Sequence, residues 1–390
     1  MNVRMKTGFL PLACGLVLLL VSGCSAQTSG GGANGQVQLA DKTCPVEGPP
    51  AFVIRALTML PGSPRITLAT SVAPSDTSTS EVIAPDPKDQ IHCGVTPLRK
   101  VKNIVFSAPM LPDGRKRTLK MDILTPADGH THPLVVYIPG GGFVIAIKES
   151  AANLRTYVAE QGFVVATIEY RTTADKATYA DGIADVKSAV RYLRAHAQDY
   201  GIDPAKIAVW GQSAGGYLAA MTGVSNGDKA FDKGDDLDRS SSVQAVIDQF
   251  GSSDMSKLAD DFDAKTRQTY DDPNNPIERY VGGPDSQVSL LADPLTSTKA
   301  NPISYINGST PPFLIFSGSN DRIISPSQTL LLHRALTAAG VRSTRIVLTG
   351  AGHGDMAFLG DPQSGLPWST NRVMGEMVRF LRTEIGPPGG

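Results

Sequence analysis

A serine flanked by glycines, an isolated histidine and an aspartate that follows an apolar run are the residues of this chain whose types and spacing could do chemistry. The serine is Ser213, in Gly211-Gln212-Ser213-Ala214-Gly215, which fits the G-x-S-x-G turn that lifts a hydroxyl onto the corner between a strand and a helix. Five positions with three fixed residues are a weak signal alone, so the surroundings must supply a base, an orienting acid and hydrogen-bond donors. Six histidines are available. His130 and His132 lie in a polar loop, His196 and His333 fall in helical stretches, and His92 sits in an amino-terminal extension. His353, in Gly350-Ala351-Gly352-His353-Gly354, follows the last apolar strand pattern, so it would share a sheet edge with Ser213. Asp321, in Ser317-Gly318-Ser319-Asn320-Asp321, comes after the run Phe313-Leu314-Ile315-Phe316 and is the acid expected to hold the histidine Nδ1 proton. Asp248, Asp254 and Asp355 are its rivals. Such a set activates a hydroxyl for attack on a carbonyl carbon.

The elements that must position these groups are legible as alternating patterns. Lys206-Ile207-Ala208-Val209-Trp210 reads as a buried strand leading into Ser213, and 214–221 as a packed helix. Leu134-Val135-Val136-Tyr137-Ile138 is apolar at every position, as a strand buried on both faces should be. Further strands are expected at 163–168, 243–247, 312–316 and 344–348. Helices are expected around Leu154 and Val158, from an Asp181 cap through Leu193, from Ser325-Pro326 to Gly340, and from Ser369 to Leu381. A hairpin is expected around Pro112-Asp113-Gly114. Strands alternating with helices imply an α/β fold with a mostly parallel central sheet covered on both faces. The stretch 254–305 interrupts this rhythm with polar, helix-forming residues. Pro139-Gly140-Gly141-Gly142-Phe143 follows the strand ending at Ile138, where backbone N–H groups could approach a developing oxyanion. It lacks both the G-x-G-x-x-G spacing and a Walker lysine that a phosphate site would need.

These motifs together resemble an α/β-hydrolase of the esterase group related to hormone-sensitive lipase and to bacterial feruloyl-esterase-like enzymes. The resemblance covers about 101–381. It rests on Pro139-Gly140-Gly141-Gly142, Tyr170-Arg171, Tyr200-Gly201-Ile202-Asp203-Pro204, and the order Ser213, Asp321, His353. It implies a serine carboxylesterase acting on short or aromatic acyl esters through an acyl-enzyme. In it Gly141, Gly142 and the amide of Ala214 are the oxyanion donors, 254–305 is a lid, and no cofactor or metal takes part. The family usually carries histidine where this chain has Pro139. A peptidase of the prolyl-oligopeptidase type shares the same residue order, although the extension here is too short for a propeller. A non-catalytic binding protein on the same fold is the reading from another class.

Length, charge and the amino terminus bound the setting. At 390 residues the chain is long enough for one large domain plus extensions. A net charge of −1 gives no sign of a nucleic-acid partner. Arg4 and Lys6 precede an apolar run at 9–21, the pattern of an export signal. Val21-Ser22-Gly23-Cys24 resembles a bacterial lipobox, in which Cys24 becomes the lipidated first mature residue and tethers the protein to the cell envelope. The expected organisation is therefore a signal peptide at 1–23, a Gly/Ser-rich tether at 24–38, an irregular extension at 39–98 and the hydrolase domain at 99–390. With Cys14 in the leader and Cys24 lipidated, Cys44 and Cys93 remain and are expected to pair.

Overall fold

The computed structural model describes residues 42–44, 67–354 and 363–386. The expected leader, Cys24, the tether and Asp355 lie outside the described residues. Among the described residues, nine strands form one sheet in the order β2 (Glu81–Ile83), β11 (Ser343–Leu348), β10 (Phe313–Gly318), β9 (Ala245–Gln249), β8 (Ile202–Gln212), β6 (His132–Ile138), β7 (Val164–Ile168), β5 (Leu119–Pro126) and β4 (Leu98–Ser107). The pairings from β2 to β7 are parallel, and β5 and β4 close one edge antiparallel. β4 and β5 are the arms expected around Pro112-Asp113-Gly114.

Period-two alternation between two covered faces explains why 134–138 of β6 is apolar at every position. Leu134, Val136 and Ile138 face one layer, with Ile183, Val186 and Leu218, while Val135 and Tyr137 face the other, with Leu154, Val158 and Met377. The first layer includes α2 (Tyr179–Ala195), α3 (Ala214–Val224) and α7 (Ser327–Ala338); the second includes α1 (Ala152–Glu160) and α8 (Asn371–Ile385). Two helix starts differ from expectation. Thr178 rather than Asp181 caps α2, and Asp181 sits one turn in, accepting the Thr178 N–H at 3.0 Å. At α8 the cap is Thr370, whose hydroxyl accepts from the Val373 N–H at 3.3 Å.

The stretch 254–305 is folded into α4 (Ala264–Tyr270), α5 (Pro276–Gly282) and α6 (Pro294–Ala300). Each short helix starts at a side-chain cap, respectively Asp263, Asn275 and Asp293, which explains helices in so polar a segment. The extension is less irregular than its composition implies. It supplies β2 at the sheet edge, and β1 (Lys42–Thr43) pairs with β3 (His92–Cys93) in a separate two-stranded sheet. Only Ile83 of β2 is buried, so the strand has no alternation to read. Cys44 and Cys93 are joined by a disulfide. The fully buried Arg345 of β11 fastens the segment before β2, donating to Asp76 O and Ser80 Oγ.

Candidate active site

Ser213 stands where β8 turns into α3, with φ 55° and ψ −121°. A left-handed serine stores strain of about 1–3 kcal/mol, which the surrounding contacts must hold. Its N–H donates to Gln249 O at 2.9 Å, and its carbonyl accepts the Tyr217 N–H at 3.0 Å. The glycines are required by close approach. A Cβ on Gly211 would lie 2.0 Å from Gly215 O, and one on Gly215 would lie 2.0 Å from Ile138 O. The turn therefore packs directly on the end of β6.

The loop after β11 brings His353 to this corner. His353 Nε2 lies 2.7 Å from Ser213 Oγ, and Nδ1 lies 2.7 Å from Asp321 Oδ2. Asp321, 1% exposed, accepts from the Ile323 and Ile324 N–H groups through its other oxygen, both at 2.9 Å. Those bonds fix its carboxylate plane, which in turn fixes the imidazole. Gly318 at the end of β10 lets the histidine loop close in, since a Cβ there would stand 2.5 Å from Ala351 O. Phe250 backs the imidazole at a ring separation of 4.7 Å. Phe250 is itself left-handed, at φ 50°, and meets Trp368 edge-on. Nothing in the sequence marks it beyond an aromatic residue between a buried strand and Gly251.

The other candidates fall elsewhere. His132 faces Asp128, His196 faces Asp199, and His333 lies between Ser343 and Thr79. His92 is in β3 and His130 in the loop ahead of β6. Asp254 caps a turn at Ser256. Among the described residues no group of three His, Cys, Asp or Glu side chains could hold a metal.

The glycine loop after β6 lies against the serine. A Cβ on Gly140 would be 3.3 Å from Ser213 Cβ. Gly141, Gly142 and Phe143 run consecutively through positive φ, at 137°, 60° and 61°. The loop therefore reverses tightly beside the Ser213 corner. Among the described residues, none accepts a hydrogen bond from the N–H of Gly141, Gly142 or Ala214. The Ala214 N–H is also the first of α3, at the positive end of the helix dipole. Tyr170 Oη donates to Pro139 O at 2.9 Å, and Thr173 donates to Phe143 O through its N–H and its hydroxyl, at 2.8 and 3.1 Å. These contacts anchor the loop without an imidazole at Pro139.

Two buried carboxyls surround this frame. Burial pushes Asp185 up to about 6 against the pull of Arg171, which clasps it at 2.8–3.1 Å. Burial likewise pushes Asp248 up to about 7. Its Oδ1 accepts the Gly251 N–H at 2.8 Å, and its Oδ2 has no partner among the described residues. Asp248 lies beside α3 rather than at His353, since a Cβ on Gly216 would come within 2.4 Å of its Oδ1.

Residues 121–336, more than half of the chain, match the model of the BD-FAE family. The chain belongs to the BD-FAE family. This BD-FAE chain is 30% identical over 199 residues to a probable carboxylic ester hydrolase, LipM, of Mycobacterium tuberculosis, covering 51% of this chain and 43% of that protein. It is 29% identical over 249 residues to the esterase LipQ of the same organism, covering 63% and 55%. The chain thus spans about half the length of the curated relatives it matches. The thermophilic esterase Est2 of Thermogutta terrifontis superposes with a TM-score of 0.56 at 25% identity, over 79% of this chain and 97% of that one. A truncated carbohydrate esterase from gut microbiota superposes with a TM-score of 0.61 at 23% identity, over 78% of this chain and all of that one. The α/β-hydrolase fold that the resemblance implies is the fold of this BD-FAE chain.

Proposed function

We propose that this chain is a serine carboxylesterase acting on short or aromatic acyl esters. The observation that carries the reading is the unbroken hydrogen-bond path from Asp321 through His353 to Ser213, beside a loop in which the N–H groups of Gly141 and Gly142 have no acceptor among the described residues. In this reading His353 Nε2 takes the proton of Ser213 Oγ as the oxygen attacks the ester carbonyl. Asp321 keeps the other imidazole proton on Nδ1 and stabilises the imidazolium. The N–H groups of Gly141, Gly142 and Ala214 receive the negative charge on the carbonyl oxygen. The imidazolium then protonates the leaving alcohol, giving an acyl-enzyme on Ser213. Water, deprotonated by the same imidazole, attacks that acyl group and releases the acid. Every proton is returned, and no cofactor enters the cycle. The names of the similar proteins, a carboxylic ester hydrolase and two esterases, support the substrate class.

The test is a rate series on p-nitrophenyl esters of rising acyl length and a feruloyl ester. Turnover of at least one, abolished in Ser213→Ala together with fluorophosphonate labelling, is the expected result. Wild-type turnover by Ser213→Ala would sink the mechanism. For location, the proposal is a lipid anchor on Cys24 holding the enzyme at the cell envelope. The lipobox-like sequence supports it, and the Cys44–Cys93 disulfide suits an oxidising compartment. Metabolic labelling with a palmitate analogue should mark the wild type and spare Cys24→Ser; equal labelling of both would remove the anchor.

A further inference from the structure

The segment 254–305 touches each of the three parts of the site, and a tyrosine takes part at each of them. Tyr270 of α4 donates its hydroxyl to Ile323 O, next to the N–H groups that hold Asp321. Tyr217, one turn into α3 from Ser213, donates to Ala300 O at the end of α6, at 2.8 Å. Tyr280 of α5 stacks flat on Phe143 of the glycine loop, with ring centroids 4.4 Å apart and planes 16° from parallel. Phe143 also meets Tyr217 edge-on at 5.5 Å. The ring that ends the donor loop is thus packed by one tyrosine from the serine helix and one from the inserted segment.

Phe143 needs that packing. It is a bulky residue in the left-handed region, as the third of three consecutive positive-φ residues. Such a conformation persists only where the surroundings over-determine it. Its carbonyl is held by Thr173, and its ring is packed by those of Tyr217 and Tyr280. Tyr280 is in turn seated deeply. It is fully buried, and its hydroxyl lies so close to α2 that a Cβ on Gly182 would meet it at 1.9 Å. Its hydrogen bond, to Arg171 O, is long at 3.4 Å. The ring face, rather than the hydroxyl, is its close contact with the loop.

We infer that Tyr280 is a positioning residue for the oxyanion donors, acting through the face of Phe143. The inserted segment therefore sets the geometry of the N–H groups of Gly141 and Gly142 from 137 residues downstream of the loop's aromatic end. This inference rests on the proposed esterase reading of the site. A misplaced donor loop weakens the transition state more than the bound ester, so the loss falls on kcat and leaves KM nearly level.

The experiment measures kcat and KM on p-nitrophenyl butyrate, and the inhibition constant of a trifluoromethyl ketone whose adduct carries the same oxyanion. Tyr280→Leu should lower kcat about tenfold with KM changed less than about twofold, and should weaken the ketone by a similar factor; complete loss of one donor, at about 10²–10³, is the ceiling. Tyr280→Phe, which keeps the ring face, should stay within about twofold of wild type. A folded Tyr280→Leu with wild-type kcat would overturn the inference, as would a Tyr280→Phe that falls as far as Tyr280→Leu. If Tyr280→Leu does not fold, Tyr280→Met fills a similar depth without a ring and carries the same expectation. Ser213→Ala separates the two levels. If it keeps activity, the esterase reading fails; if it is inactive while the ring variants stay at wild-type rates, only this inference falls.

Discussion

The Ser213–His353–Asp321 line and the glycine loop facing it are built by different means. The first is wired through side-chain hydrogen bonds of 2.7 Å, between residues that each follow a parallel strand. The second bears its candidate donors on backbone atoms and is held by packing, with Tyr170 beneath Pro139 and the rings of Tyr217 and Tyr280 around Phe143. Side chains that react must be of a given type, so a sequence displays them. Side chains that only fill space around a loop can be many types, and they arrive from distant segments. The two halves of one site therefore differ in how openly they are written.

Four measurements break or sharpen this contrast. On the wired side, Ser213→Ala and His353→Ala should each lower kcat by at least ~10⁴-fold, and the double variant should be no slower than the worse single one, because the two act as a unit. Additive losses in a p-nitrophenyl butyrate assay would show that they do not. Asp321→Asn should come next, at about 10³–10⁴-fold, since the amide can still accept from Ile323 and Ile324 but favours the wrong imidazole tautomer. A loss under tenfold would remove Asp321 from the orienting role. On the packed side, Gly141→Ala should cost about 10²–10³-fold in kcat, because its Cβ would stand 2.2 Å from Ile145 O at a φ of 137°. Wild-type kcat there would take the loop out of the reaction.

The smallest effect lies beneath both halves, at Asp248. Burial holds its carboxyl neutral up to about pH 7, whereas the unfolded chain releases that proton near 3.8. Between those values the folded protein binds more protons than the unfolded one, so this group lowers stability progressively as pH rises from 3.8 to about 7, and the penalty is level above that. Asp248→Asn has no such proton. The melting temperature of the variant relative to wild type should therefore climb by several degrees between about pH 4.5 and pH 8, followed by differential scanning fluorimetry. A difference that is flat across this range would show that the carboxyl does not titrate in it.

How much was legible follows the same division. The apolar run at 134–138 announces a strand covered on both faces, and its alternate residues do face two layers. Ser213, Asp321 and His353 stand out because each follows such a run in an otherwise polar or glycine-rich loop. Gly141 and Gly142 stand out as part of a glycine run after a strand, and the resemblance names them as donors; their positive φ values are ones that glycine tolerates. Tyr170 is marked only as part of the Tyr170-Arg171 motif, with no role attached, and Phe250 and Tyr280 are not marked at all, since their types are common in any core and only three-dimensional proximity reveals them. The start of α2 lies one turn before the expected Asp181 because Thr178 and Asp181 share one cap, and either residue type begins helices. β2 escaped because three residues, two of them exposed, carry no period.

That short strand has a kinetic consequence. β2 pairs Glu81 with Ile346 and Ile83 with Leu348, joining the early part of the chain to one of its last strands. A contact spanning 265 residues carries a loop-closure cost that nearer pairings avoid, and folding slows as such contacts accumulate. Until β10 and β11 have formed beside β9, residues 81–83 have no neighbour to join. The strand that comes first in the sheet by sequence is therefore the one whose pairing closes the longest loop, and that pairing covers the β11 edge of the sheet.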